Sequence, residues 1–295
     1  MSNQMSSSDL VSAIRSGTLL PGTSLAGADL FRADLSGVNL SGVDLSGADM
    51  SFANLTDATL NETNLTDAKL CNATMIRTGF RGAAMSKALF TGATFIGADM
   101  TYAYFANANL AGVEMQLSRL ICADMSGANF KGADMTGSDL TCSDLTDADF
   151  TKASMSGAVL KRAISAKANF ASADLRGANF TEALLAQVNL TGTNLTGADM
   201  TRAYLARADL TESYAQGAIF IRAELISANL KGAHMAYSDF SSASLWRAIL
   251  EGTMLFGAKL GGACFIDTAM RGADLRGVDP TSVDLSRVDL TDVRM

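Results

Sequence analysis

Cys122 and Cys142, twenty residues apart, and His234, the sole histidine, are the side chains in this sequence best fitted to nucleophilic, redox or metal chemistry. A metal site needs thiolates, imidazoles or carboxylates gathered at short ligand spacings. The four cysteines, at 71, 122, 142 and 264, show no such spacing. One histidine without a second ligand or a nucleophile partner reads as a surface residue. No carboxylate pair, no nucleophile beside a base and no phosphate-cradling loop stands out. The sequence therefore predicts no enzyme, no cofactor and no small-molecule substrate.

The elements that would position such groups explain their absence. From Leu25 to Met295 the chain restarts every five residues, and 52 of the 55 residues at positions ending in 5 or 0 are Leu, Met or Phe. The exceptions are Ser165, Ala215 and Pro280. Two places before each centre stands Ala, Val, Ser or Thr without exception, and just before it Asp or Asn recurs, as in "SGVNLSGVDLSGADM" (36–50). Two places after it falls the phase that holds 24 of the 26 glycines. A period of five suits neither a 3.6-residue helix nor a two-residue strand. It suits a chain that turns a corner after each short extended piece, with glycine at the turn position where φ is positive. The centre and the small residue then point inward, and the other three point outward. The aspartates recur at every corner, as turn-supporting side chains would, and not as catalytic pairs.

The pattern A(D/N)LXX, in "ADLFRADLSGVNL" and "ANFKGADMTGSDL", resembles the pentapeptide-repeat family over residues 23–295. The resemblance implies an all-β, right-handed quadrilateral parallel β-helix, a solenoid in which four fives close a coil of 20 residues. That gives 13 to 14 coils, a rod about 65 Å long at roughly 4.8 Å per coil, with nearly nearest-neighbour stability. Residues 23–295 are expected to form one uninterrupted array. Residues 1–22 form a leader whose short helix, with Ser8 or Asp9 as N-cap and Leu10, Val11 and Ile14 on one face, lies over the first coil. The leader resembles those that precede pentapeptide arrays in proteins linked to type VI secretion. No apolar run approaches a membrane span, and Met1–Ser8 lacks the regions of a signal peptide. The expected setting is the cytoplasm, with specialised secretion still open.

With four faces, residues 20 apart stack. Ile164, Leu184 and Tyr204 form one outward apolar column, and Ile226, Trp246 and Ile266 a neighbouring one on the same face. Smaller columns are Tyr214, His234, Met254 and Ile76, Ile96. Exposed apolar patches mark interfaces, and Trp and Tyr are their usual anchors. Ladders of isoleucine also stack well without any partner. Ser165 and Ala215 underfill the core, so bulges that turn Ile164 and Tyr214 inward would shrink the patch. Cys122 and Cys142 fall on one outward column within disulfide reach, and read as free thiols in a reducing compartment. At the C-terminal coil the small position is Val four times running, at 278, 283, 288 and 293. Val288, Leu290, Val293 and Met295 are the candidate end-to-end contact with a partner chain, a second copy included, as occurs in the family.

The net charge of −7 is uneven. Residues 101–150 carry seven acids and two bases, and Asp124, Asp134, Asp139, Asp144, Asp147 and Asp149 form the candidate acidic surface. Residues 151–200 carry three acids and five bases. Arg162, Arg202 and Arg222 share an outward column with Glu182 between the first two, which argues against direct nucleic-acid binding. The reading is a non-enzymatic protein-binding or assembly rod, linked in its more specific form to a bacterial secretion system. The alternative, implied by the family, is an acidic DNA mimic that binds and modulates a type II topoisomerase (DNA gyrase). Duplex DNA carries one charge per about 1.7 Å, so full imitation over this length would need about 38 negative charges. The chain has 30 acids against 23 bases, and its unbroken register leaves no projecting loop of the kind quinolone-protection members use.

Overall fold

Each five-residue repeat makes one corner and one bridge. In the computed structural model, which describes residues 7–17 and 24–295, the residue before a centre pairs in parallel with the residue 20 further on within each half of the regular array, as Asp29 does with Asp49 and Ile164 with Leu184. Three backbone bonds per face tie successive coils: Leu30 N donates to Asp49 O at 2.8 Å, Arg32 N to Ser51 O at 3.0 Å, and Asp49 N to Ala28 O at 2.9 Å. The spacing of 20 closes the four-sided coil, and the fold is a right-handed quadrilateral β-helix.

The corner is a β-turn from one centre to the next small residue, closed by bonds such as Ala33 N to Leu30 O at 3.0 Å. Its third residue alone has positive φ, which is the type II geometry that favours glycine. Many corners lack glycine, and Leu117 (φ 57°) and Phe52 (φ 60°) are held left-handed by the coils on either side.

The chain divides into two compact units, residues 1–144 and 145–295. Between residues 30 and 275 the centres and the small residues two places earlier are buried in both units. In the first unit Phe80, Phe90, Phe95 and Phe105 pack ring on ring, with centroids 5.2 to 6.0 Å apart. Where the small residue is Thr or Ser, its hydroxyl usually reaches a carbonyl of the preceding coil: Thr78 Oγ1 to Leu55 O at 2.7 Å, Ser118 Oγ to Phe95 O at 2.7 Å. The Ser165 and Ser213 hydroxyls are buried and find no partner.

Helix α1 spans Ser7–Arg15, with Ile14 buried and Leu10 and Val11 half-buried. It begins ahead of both Ser8 and Asp9, so neither is the N-cap. Asp9 lies in the first turn, where a negative charge suits the helix dipole. Arg15 fastens the helix to the first coils through Asp34 Oδ2 at 2.7 Å and Asp34 O at 2.9 Å. Pro21 and the leader–array junction at 22–23 lie outside the described residues.

Near the end of the second unit the backbone breaks its five-residue rhythm at one corner and resumes it by Asp284. Pro280–Ser282 form a 3-10 turn capped by Asp279, whose carboxylate accepts from Thr281 N at 2.9 Å. Proline fixes φ and opens this turn in place of the regular corner.

Candidate interaction surfaces

Corner chemistry occupies most of the carboxylates. Asp or Asn before a centre accepts from the backbone N–H two residues on, and a Ser or Thr hydroxyl there often adds a second bond to the same oxygen. Asp134 Oδ1 takes Thr136 N at 3.0 Å and Thr136 Oγ1 at 2.6 Å. These are Asx-turns. Hydrogen bonds from Ser36, and then from Arg15, hold the Asp34 carboxyl down at about 2. The side chain of Arg276 does the same for Asp274, also at about 2.

The acidic residues do not share a face. In the first unit Asp124 and Asp144 stack on one column, Asp134 lies on a second with Glu114, and Asp139 on a third with Arg119. Asp139 accepts from both the amide and the hydroxyl of Thr141, and Asp134 also from Gln116 Nε2 at 2.7 Å. In the second unit Asp149 serves Thr151 in the same way, while Asp147 is an exposed corner residue.

The two apolar columns lie together on one face of the second unit. Ile164, Leu184 and Tyr204 form a bridged ladder, with Leu184 48% exposed. No bulge forms at the small centres: Ser165 and Ala215 are buried in regular coils, and Ile164 and Tyr214 stay outward, 40% and 51% exposed. One corner position along, Ile226, Trp246 and Ile266 continue the strip, with Trp246 38% exposed. Where the columns meet, a groove of about 340 Å³ is lined by Tyr204, Ala206, Arg207, Ile226, Trp246 and Arg247. The Arg247 guanidinium lies over the indole, 4.4 Å from its centroid. On the adjoining corner Arg162 Nε meets Glu182 Oε2 at 2.7 Å and Arg202 Nη1 meets Glu182 Oε1 at 3.5 Å.

Elsewhere, Tyr214 packs against His234 with centroids 4.8 Å apart, and Met254 is exposed above them. Ile76 and Ile96 are half-buried. Val288 and Val293 are half-buried, whereas Leu290 and Met295, at core phases, are 39% and 63% exposed. Cys122 and Cys142 are free and exposed side by side, and partial burial, then the neighbouring Cys142, push the Cys122 thiol up. Among the described residues no cluster of three His, Cys, Asp or Glu could hold a metal, and no helix is long and apolar enough to cross a membrane.

Sequence reasoning passed over two aromatic sites in the first unit. Phe31 and Phe52 meet edge-on at 5.7 Å, with the Arg32 guanidinium 5.1 Å from the Phe31 ring. Tyr102 and Tyr104 both project into solvent. The signal was present: aromatics at outward phases, the corners for Phe31, Phe52 and Tyr102 and the bridged position for Tyr104, that elsewhere favour glycine or polar residues.

A family profile described as pentapeptide repeats (8 copies) matches residues 16–47, 48–86, 76–110, 98–137, 128–164, 166–202, 203–236, 233–272 and 263–295. Among solved structures the chain is similar to HetL, a pentapeptide repeat protein involved in heterocyst differentiation regulation in the cyanobacterium Nostoc sp. strain PCC 7120: 24% identity, 93% of this chain and 98% of that one, TM-score 0.26. A pentapeptide repeat protein of the Arabidopsis thaliana thylakoid lumen is 29% identical over 32% of this chain and 66% of its own, with a TM-score of 0.32. Full-length QnrB1, a plasmid-mediated fluoroquinolone resistance protein, is 16% identical over 92% and 91%, with a TM-score of 0.22. No curated protein matches.

Proposed function

This chain belongs to the pentapeptide-repeat family, and on that premise we propose that it is a non-enzymatic protein-binding or assembly scaffold working through the apolar face of its second unit. One observation carries the reading. Six apolar side chains, Ile164 to Ile266, line one face beside a groove that holds the chain's single tryptophan. The rest of the outward positions favour Ser, Thr, Asp and Asn, and a contiguous apolar patch rimmed by polar residues marks a contact surface. The accessible core-phase residues Leu290 and Met295, with Val288 and Val293, supply a second candidate contact for self-association. The more specific role, in a secretion machine, rests on the resemblance of the leader. The dispersal of Asp124, Asp134 and Asp139 over three faces does not favour the DNA-mimic alternative.

Light scattering on the intact chain and on Trp246→Asp tests the reading. A dimer that the substitution converts to a monomer makes the strip a self-association surface. A dimer that survives it points to the coil of Leu290 and Met295. If both are monomers, the strip serves a foreign partner, and capture from the native host must then be lost on Trp246→Asp with Leu184→Asp. An intact monomer whose captured proteins are unchanged by that double substitution sinks the proposal.

A further inference from the structure

We propose that the apolar face of the second unit receives an acidic amphipathic helix of a partner protein, a refinement that rests on the protein-binding reading above. Three features of the face converge on that occupant.

The first is that the parallel ladder of this face is already paired. Leu184 N donates to Ala163 O and Tyr204 N to Ala183 O. The carbonyls of Ile164, Leu184, Tyr204, Ile226, Trp246 and Ile266 accept from Leu145, Ser165, Leu185, Arg207, Ser227 and Arg247 respectively. An extended peptide laid here would find no open sheet edge to extend and would lose water from its own amides, at a cost. A helix bonds its backbone internally and needs only side-chain contacts.

The second is dimensional. The apolar residues occur once per coil over six successive coils, and five steps of about 4.8 Å span about 24 Å. A helix rising about 1.5 Å per residue covers that span in about 16 residues. Apolar residues repeating every seven positions advance about 10.5 Å, close to the roughly 9.6 Å of two coils. Between the bounding corners run three extended residues of about 3.3 Å each, which matches a helix diameter of about 10 Å.

The third is charge. The second unit as a whole holds 15 bases and 16 acids. Yet the outward residues of this face and its two corners, from 161 to 267, carry seven bases and three acids. Arg202 and Arg222 stand on one corner, and Arg207 and Arg247 on the other. Among the described residues no carboxylate pairs with Arg207, Arg222 or Arg247, whereas Glu182 ties Arg162 and Arg202. Guanidinium groups on both sides of an apolar strip select carboxylates on both flanks of the incoming helix. Four of the six strip residues are aliphatic, which suits leucine-rich helix faces better than stacked bases.

Trp246, as the only tryptophan, reports occupancy directly by its emission. The full chain is titrated with an 18-residue helical peptide carrying leucine at heptad spacing and glutamate on both flanks. The controls are the same peptide with lysine flanks, a scrambled glutamate peptide, and a single-stranded DNA oligonucleotide. The expected result is a blue shift with the glutamate-flanked peptide, at least tenfold weaker binding of all three controls, and a loss of affinity in raised salt. Arg207→Glu with Arg222→Glu is expected to reverse the order of the two flanked peptides, and a reversal cannot come from misfolding. Equal binding of the two flanked peptides overturns the acidic helix but leaves the protein-binding face intact. Failure of both, or preferential DNA binding abolished by the arginine substitutions, overturns the acidic helix and the apolar face together.

Discussion

Phe150 and Phe170 stack face to face one coil apart, with centroids 4.8 Å apart and ring planes within 6°. Phe220 and Phe240 repeat the arrangement at 4.7 Å and 3°. Each stack stands beside an undersized centre: Ser165 five residues before Phe170, and Ala215 five before Phe220. On adjacent walls of a narrow tube, a small centre makes room for a large ring. Phe170→Ala is therefore expected to cost about 3–5 kcal/mol in urea unfolding. Ser165→Leu should also destabilise, by about 1–3 kcal/mol through overpacking. A Ser165→Leu variant that is more stable than the parent would refute the pairing of small centre with stacked ring.

The same serine gives a prediction of opposite sign. Its hydroxyl is buried without a partner, whereas Thr193 Oγ1 reaches Phe170 O at 2.9 Å. An unsatisfied buried hydroxyl costs about 1–3 kcal/mol. Ser165→Ala removes it at little change in volume, and calorimetry should record a higher Tm. Thr193→Ala, which breaks a made bond, should lower it.

Stability should fall in acid and be level above about pH 4. The Asx-turn carboxylates, Asp34 and Asp274 foremost at about 2, are held below the unfolded value of about 3.9 by hydrogen bonds from Ser, Thr and Arg neighbours. A depressed folded-state value stabilises above the unfolded value and loses that contribution as pH falls towards 2. Denaturant midpoints between pH 2 and 7 check this, and a midpoint that rises on acidification would contradict it. Asp34→Asn should flatten its share of the slope, because asparagine can still make the turn, as Asn39 does for Ser41.

At Gly137 a side chain meets two obstacles at once. Its φ is +67°, and a Cβ there would lie 2.9 Å from Leu117 Cδ2. Gly137→Ala is expected to cost about 1–2 kcal/mol, and more as Val, whose branch suits left-handed backbone least. Leu117→Ala in the same chain should recover only the steric part, leaving the strain.

The period, the inward and outward phases and the turn chemistry were legible in the residues themselves, since Leu35, Asp34 and Gly37 each sit where the corner geometry needs them. Four-sidedness was not, because nothing in a run of fives says how many close a coil; that came with the family resemblance. The strip of Ile164 to Ile266 followed once 20 was known as the stacking distance. The groove beside Trp246, and Arg247 lying over its ring, depend on side-chain conformations that no spacing encodes. The fate of Ser165 likewise needed coordinates, since an undersized centre permits either a bulge or a neighbouring ring that fills the gap. The 3-10 turn at Pro280 was foreshadowed by the proline, yet the unbroken five-residue count concealed it.

The inside of each coil repeats every five residues, whereas the outside repeats only every twenty. Removing any five residues between Leu184 and Tyr204 would leave a packed interior, but would carry Tyr204 and everything after it a quarter-turn round, parting them from Ile164 and Leu184. Removing twenty would restore the alignment and merely shorten the strip. A lineage built this way can gain or lose fives without unfolding and still lose its partner, so the heritable unit of recognition is four times the heritable unit of structure.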